Sequence, residues 1–141
     1  RLITRVHRDF KAAVLVDCHS MPSAAGSKDE RPRADFVIGD RYGTSCVATV
    51  ADAIEAALIG LGYSVSRNKP YAGGFITEHY GNPAAGLHSI QIEINRALYM
   101  DERKLAILPS FDTLAQDMVA LRDALAAMPL HVFETFGAAA E

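Results

Sequence analysis

Apolar and polar residues along the chain follow two different periods, which predicts strands alternating with helices. Residues 12–16 form a continuous apolar run with two valines, typical of a strand that is covered on both faces. Residues 36–39 predict a second short strand. Residues 89–94 alternate strictly between polar and apolar, so the isoleucines should face the core and Glu93 should face the other way.

Apolar residues between 47 and 61 recur at helical spacing, which predicts a helix that Thr44 or Ser45 caps and Gly62 ends. A second helix is predicted from residue 110 to Pro129. Residues 63–66 predict a short strand, and residues 75–79 predict either a short strand or an edge segment. Residues 1–10 look like the last turns of a helix whose beginning is absent. The pattern predicts one α/β domain over residues 1–141, with a mostly parallel sheet and helices on its faces.

Composition and charge narrow the class of protein. Half of the residues are hydrophobic, 22% are charged and the formal net charge is -3, as in a globular protein. The basic residues are scattered rather than clustered, which argues against nucleic-acid binding. No apolar run is long enough to span a membrane and no signal peptide is recognisable, so we expect a cytoplasmic location and no membrane partner. The cysteines, Cys18 and Cys46, are expected to be reduced thiols, with Cys46 in the core.

The first candidate for chemistry is His19, which follows the first predicted strand. Functional groups in open α/β sheets gather beyond the carboxyl ends of the strands. The imidazole could ligate a metal, act as a general base, or bond a backbone carbonyl in a turn, and the last is the ordinary role of a single histidine. Asp17 could orient the ring of a metal-bound His19, or could be a turn residue.

Glu93 is the second candidate, because a carboxylate beside buried residues must be paired, ligate a metal or face a wet cleft. It is the best candidate for a general base; the alternative is that its face of the strand is solvated. Arg96, just beyond that strand, could bind a substrate carboxylate or form a surface ion pair. The side chains of Glu78 and His79 should diverge if they lie on a strand, and His88 should face away from Glu93.

Four segments in register resemble the N-formylglutamate amidohydrolase family. They are Asp17-Cys18-His19-Ser20-Met21-Pro22-Ser23, then residues 33–43 (RADFVIGDRYG), then 73–77 (GGFIT), and 91–100 (QIEINRALYM). Their order and spacing agree across nearly the whole chain. The resemblance implies a three-layer α/β/α fold like that of the zinc carboxypeptidases and phosphorylases. It also implies hydrolysis of N-formyl-L-glutamate to formate and glutamate in histidine degradation.

The resemblance also implies roles for individual residues. His19 would be a zinc ligand and Glu93 the carboxylate that activates water. Arg41, Asn95 and Arg96 would bind the carboxylates of a small N-acyl amino acid substrate. These roles require the side chains of His19 and Glu93 to converge on one cleft.

Members of the family carry a further N-terminal half with more metal ligands, so we expect this chain to be an incomplete and inactive portion. A single histidine cannot hold a catalytic zinc. The apolar surface that such a truncation exposes favours association with a second copy. The alternatives are an amidohydrolase acting on another N-acyl amino acid, or a metal-free chain of the same fold used for ligand binding or assembly.

Overall fold

A computed structural model of the protein describes residues 1–23 and 33–133. The α-helices of this part are α1 (Leu2–Phe10), α2 (Ala48–Gly60), α3 (Phe75–Tyr80) and α4 (Phe111–Ala126). The strands are β1 (Ala13–Met21), β2 (Phe36–Gly39), β3 (Val65–Arg67), β4 (Leu87–Asn95), β5 (Met100–Asp101) and β6 (Ala106–Ile107). Short 3-10 turns cover Pro83–Ala85, Arg96–Leu98 and Leu130–Val132.

The main sheet has the strand order β1-β4-β2-β3, while β5 and β6 form a separate antiparallel pair. β1 runs parallel to β4 and β2 runs parallel to β3, whereas β4 and β2 are antiparallel. The prediction of a mostly parallel mixed sheet is therefore confirmed. β4 has a neighbouring strand on both sides at residues 91–94, which include Gln91 and Glu93.

The two faces of the sheet are covered by different helices. Ile90 and Ile92 of β4 join Phe36 and Ile38 of β2 in a core that α2 and α4 complete. The polar side chains of β4 face the other way and meet the start of α3, because successive side chains of a strand alternate between faces. Helices thus lie on both sides of the sheet, as the three-layer prediction requires. In the described ranges, no helix has the length and apolar character needed to cross a membrane.

Two predicted elements differ from the structure. The first strand continues to Met21 instead of stopping at residue 16, because β4 offers a backbone ladder of matching length, with nine residue pairs in register. Residues 75–80 form α3 rather than an edge strand. Their aromatic and β-branched side chains favour a strand, but Thr77 Oγ1 donates a 2.7 Å hydrogen bond to the carbonyl of Gly74 and closes a helical turn there.

The helix predicted from residues 47–61 is present, with a different start. α2 begins at Ala48, and its N-cap residue Val47 has extended backbone angles and makes no side-chain cap bond. Cys46 lies just before the helix and is fully buried in the core, as predicted. Residues 2–10 are helical, also as predicted.

Candidate active site

The candidate site is a small grid of side chains on one face of the sheet, at the carboxyl ends of β1 and β4. His19 on β1 is paired with Glu93 on β4, and Glu93 is paired in turn with Val37 on β2. Two residues earlier on the same strands, Asp17 is paired with Gln91. Because paired residues on neighbouring strands share a face, the four polar side chains come together without any loop.

His19 lies between two carboxylates. Its Nε2 is 3.1 Å from Oδ2 of Asp17, and its Nδ1 is 4.0 Å from Oε1 of Glu93. A carboxylate oxygen accepts and does not donate, so the contact with Asp17 places a proton on Nε2 and leaves the lone pair of Nδ1 available in the neutral ring. The side chain of His19 is 49% exposed, so a ligand can approach it from solvent.

Glu93 is almost completely buried, with 6% of its surface exposed, and the same holds for Gln91. The alternative that this face of the strand is solvated is therefore wrong. The burial is balanced by a 2.7 Å hydrogen bond from Nε2 of Gln91 to Oε1 of Glu93. Oε2 of Glu93 accepts no hydrogen bond from the residues that the structure describes.

Gln91 has a second contact that the sequence does not reveal. Gly39 is its partner on β2, and because Gly39 has no side chain, the turn at Ala72–Gly74 packs directly over it. The N–H of Gly74 then donates to Oε1 of Gln91 at 2.8 Å. The only sequence signal for Gln91 is its position two residues before Glu93 on an alternating strand.

Arg41 contacts the same turn from the other side. Its backbone N–H donates to the carbonyl of Ala72 at 2.8 Å, and its Nη1 lies 3.5 Å from the carbonyl of Gly73. Its Nη2 lies 3.5 Å from Oε1 of the exposed Glu78. The guanidinium is about one-third exposed and is accessible to a further anion.

The backbone at Arg41 is held in a left-handed conformation by a buried polar pair. Arg41 and Tyr42 have φ angles of 52° and 56°. Asn68 Nδ2 donates to Oδ1 of Asp40 at 2.7 Å, and Asn68 Oδ1 accepts from the N–H of Asp40 at 3.1 Å. These bonds fix the turn that presents Arg41 and explain why the residue tolerates a conformation that is unusual outside glycine.

The structure places Asn95 and Arg96 differently from the other predicted site residues. Asn95 is buried; its Oδ1 accepts from the N–H of Ala97 at 3.0 Å and its Nδ2 donates to the carbonyl of Ala34 at 3.3 Å. Nε of Arg96 donates to Oγ of Ser20 at 3.2 Å. Ser20 lies on the face opposite His19, so this contact is not part of the His19–Glu93 grid. Substrate binding by Asn95 and Arg96 stays a prediction.

The remaining histidines near the sheet lie outside the grid. His88 is buried on the isoleucine face, as predicted; its Nδ1 accepts from the N–H of Val47 and its Nε2 donates to the carbonyl of Phe133. His79 is exposed on α3 and stacks on Phe75, with 5.1 Å between ring centroids. Neither contact involves Glu93.

Cys18, between Asp17 and His19, also lies on the opposite face. Partial burial and the neighbouring Asp17 carboxylate raise the pKa of its thiol, so the thiolate is disfavoured there.

The donor atoms at His19 match zinc in type but are too few to hold it alone. Imidazole nitrogen and carboxylate oxygen are ordinary zinc ligands, and two carboxylates around one imidazole favour a cation. Among residues 1–23 and 33–133, however, no group of three His, Cys, Asp or Glu side chains is arranged to hold a metal. His19 therefore fits the part of one ligand, with Asp17 in the usual place of the carboxylate that orients it.

The fold and the grid together define an α/β protein with a carboxylate–imidazole site at the carboxyl ends of its strands. Residues 1–100 match the family model described as N-formylglutamate amidohydrolase. The chain belongs to the N-formylglutamate amidohydrolase family.

Individual relatives agree with this assignment. N-formylglutamate deformylase of Pseudomonas aeruginosa is 35% identical over 102 residues, which cover 72% of this chain and 38% of that protein. The enzyme of the same name from Pseudomonas putida is 34% identical over 103 residues, covering 72% of this chain and 39% of the relative. The chain thus spans about two fifths of the length of these curated relatives.

Solved structures show the same likeness. The crystal structure of N-formylglutamate amidohydrolase from Ralstonia eutropha JMP134 is 39% identical, with a TM-score of 0.79 over 86% of this chain and 45% of that chain. A gene product of Agrobacterium tumefaciens, 22% identical, matches with a TM-score of 0.55 over 89% of this chain and 47% of its own. The second likeness concerns the fold alone.

Proposed function

We propose that this chain carries part of the active site of a zinc-dependent enzyme that hydrolyses N-formyl-L-glutamate to formate and glutamate in histidine degradation. The proposal rests on one observation above all: Glu93 is buried with its carboxylate 4.0 Å from the ring of a solvent-accessible His19. The family and the names of the curated relatives supply the substrate.

In the proposed reaction, water adds to the formyl carbon, the bond between that carbon and the amide nitrogen breaks, and the nitrogen leaves as the amine of glutamate. Glu93 takes a proton from the attacking water and returns it to the departing nitrogen. Oε2 is suited to this transfer because Oε1 already accepts from Gln91. His19 would be one ligand of a zinc ion, and that ion, when bound, would supply Lewis-acid chemistry to the formyl carbonyl and the water.

His19 and Arg41 have separate tasks in this proposal. Asp17 holds Nε2–H of His19, which keeps Nδ1 free to ligate. The partly exposed guanidinium of Arg41 lies against the Ala72–Gly74 turn, which also contacts Gln91, and there it can bind the side-chain carboxylate of the substrate. Charge-assisted pairing of this kind selects N-acyl amino acids with an acidic side chain over neutral ones.

The direct test is formate release by the protein expressed from the gene's complete reading frame. We expect formate from N-formyl-L-glutamate in a zinc-loaded preparation, with slower release from N-formyl-L-leucine. Equal or faster release from the leucine compound would favour an amidohydrolase for another N-acyl amino acid. Failure to release formate from any of them would contradict the proposal.

A second candidate is a metal-free chain of the same fold that binds ligands or takes part in assembly. It is favoured by the lack of a three-donor group among the described residues. Metal analysis of the purified protein separates the two, because the enzyme requires stoichiometric zinc and the second candidate requires none.

A further inference from the structure

The amide of Gln91 bridges two parts of the molecule that would otherwise be unconnected. Its oxygen accepts from the N–H of Gly74 at 2.8 Å and its nitrogen donates to Oε1 of Glu93 at 2.7 Å. A backbone N–H can only donate, so the oxygen must face Gly74 and the NH2 group must face Glu93. The orientation of the amide is therefore fixed, and the carboxylate is its acceptor.

The surroundings of Gln91 leave it little freedom. It is 6% exposed and lies on an interior strand. The Ala72–Gly74 turn, to which Gln91 is hydrogen-bonded, is also tightly packed. Gly73 has a φ of 110°, and a Cβ there would lie 2.5 Å from Oγ1 of the fully buried Thr77. The bridge thus connects two rigid parts, the interior of the sheet and the turn before α3.

The same turn carries the backbone oxygens that contact Arg41, at Ala72 and Gly73. Hydrogen bonds at its two ends and the covalent backbone of the turn between them therefore connect Arg41, through Gln91, to Glu93. We propose that Gln91 is a positioning residue that holds the Glu93 carboxylate in place relative to the Ala72–Gly74 turn and to Arg41, which contacts that turn. The proposal rests on the function proposed above, in which Glu93 transfers the proton and Arg41 binds the substrate.

Two consequences follow from this arrangement. Gln91 donates a hydrogen bond to Oε1 of Glu93, so Oε2 is the oxygen left to face the reacting water. Among the described residues its side chain bonds Gly74 and Glu93 and not His19, so its loss should reduce the rate of the chemical step while metal content stays unchanged. Residues that orient catalytic groups in this way commonly account for about 10- to 100-fold in activity.

The test compares Gln91→Met with Ser89→Ala in protein from the complete reading frame. Methionine keeps the length of the side chain and removes both hydrogen bonds. Ser89 is the matched control, because it is fully buried on the same face of β4 and contacts the carbonyl of Ile76 in α3 but not Glu93. We expect Gln91→Met to lower kcat about 10- to 100-fold and to change KM by less than about threefold, with zinc content retained. Ser89→Ala should change kcat by less than about threefold.

A second measurement does not depend on activity. In the wild-type protein the Gly74 amide should be protected from hydrogen exchange by Gln91, and Gln91→Met should accelerate its exchange at least about tenfold while Ser89→Ala does not. The side-chain NH2 signals of Gln91 should shift in a Glu93→Leu variant. The proposal would be overturned by an unchanged kcat in a folded Gln91→Met protein, or by Gln91 NH2 signals that do not shift in the Glu93→Leu variant.

The two proposals fail in different ways. A wild-type protein without deformylase activity contradicts the proposed function, and the exchange and NH2 measurements then decide by themselves whether Gln91 holds Glu93. An active wild-type protein with an unaffected Gln91→Met variant contradicts only the positioning role.

Discussion

His19 and Glu93 are direct partners on two parallel strands, with 4.0 Å between Nδ1 and Oε1. A shift of the pairing by one residue would send one of the two side chains to the opposite face of the sheet. The nine-residue ladder between β1 and β4 and the buried isoleucines of β4 hold the register. The positions of His19 and Glu93 are therefore fixed by the sheet itself, whereas Gly74 and Arg41 reach the site from turns.

The first prediction concerns zinc and His19. If His19 is a ligand, His19→Ala should remove most of the zinc from protein purified from the complete reading frame, because a site that needs three protein ligands loses one. Metal content per chain, measured by mass spectrometry, checks this. His79→Ala is the control: His79 is exposed on α3 and should leave the zinc content unchanged. Full zinc retention in a folded His19→Ala protein would rule out the role of His19.

The second prediction concerns Glu93 as the proton carrier. Glu93→Gln keeps the shape of the side chain and removes the base, so kcat should fall about 10²- to 10⁴-fold. Zinc content should remain, since Glu93 is not needed as a ligand in the proposed site. Steady-state formate release and circular dichroism give the rate and a check of folding. A variant with more than about a tenth of the wild-type kcat would contradict the assignment of Glu93.

The third prediction concerns substrate recognition by Arg41. Arg41→Ala should raise KM for N-formyl-L-glutamate about 10- to 100-fold, the loss expected for a charge-assisted hydrogen bond. In the proposed site Arg41 binds the side-chain carboxylate, which N-formyl-L-leucine lacks. The slower hydrolysis of N-formyl-L-leucine should therefore stay almost unchanged, which makes this substrate an internal control. An equal loss with both substrates would contradict binding of the side-chain carboxylate by Arg41, and would mean that Arg41 binds the α-carboxylate they share or supports the turn at Ala72–Gly74.

The polar and apolar alternation at 89–94 was enough to predict that Ser89, Gln91 and Glu93 share a face, because the strand period fixes the direction of each side chain. The full length of β1 was not predictable in the same way. From Asp17 to Ser20 both faces carry polar or small side chains, so no apolar pattern marks the strand, and only the ladder with β4 extends it.

The sequence also does not predict that Glu93 is buried. This burial depends on a contact between segments far apart in the chain, in which the turn before α3 packs over Gly39 and reaches Gln91. Local patterns carry no information on such a contact. The contact of Arg96 was not predictable from the sequence either, because its guanidinium meets Ser20 of a different strand, on the opposite face from Glu93.

The fourth prediction concerns the two thiols. Cys46 is fully buried, and burial together with the Asp40 carboxylate raises the pKa of its thiol to about 12. Cys18 is exposed. Both thiols have a raised pKa, but only Cys18 is accessible to solvent. A thiol reagent should therefore modify Cys18 in the native chain and Cys46 only on unfolding. Cys18→Ser should abolish the native reaction, whereas equal rates for both thiols would contradict the burial of Cys46.

The fifth prediction tests the packing of the turn over β2. A Cβ on Gly39 would lie 2.5 Å from the backbone nitrogen of Gly73 and 2.6 Å from the carbonyl carbon of Ala72. Both atoms belong to the main chain, so no side-chain rotation can relieve the contact. We expect Gly39→Ala to lower the free energy of unfolding by about 1–3 kcal/mol, as overpacking does in well-packed interiors.

The matched control for Gly39→Ala is Gly60→Ala at the end of α2. Apart from the adjacent residues and the helix's own backbone, no atom lies within 4 Å of the Cβ that this change adds, and alanine is a better helix former than glycine. It should raise the free energy of unfolding by up to about 1 kcal/mol. Urea denaturation of both variants gives the comparison. Because Gly39→Ala pushes the turn away from Gln91, it should also accelerate hydrogen exchange at the Gly74 amide. If the Gly39→Ala protein is as stable as the Gly60→Ala protein, the turn does not pack over β2.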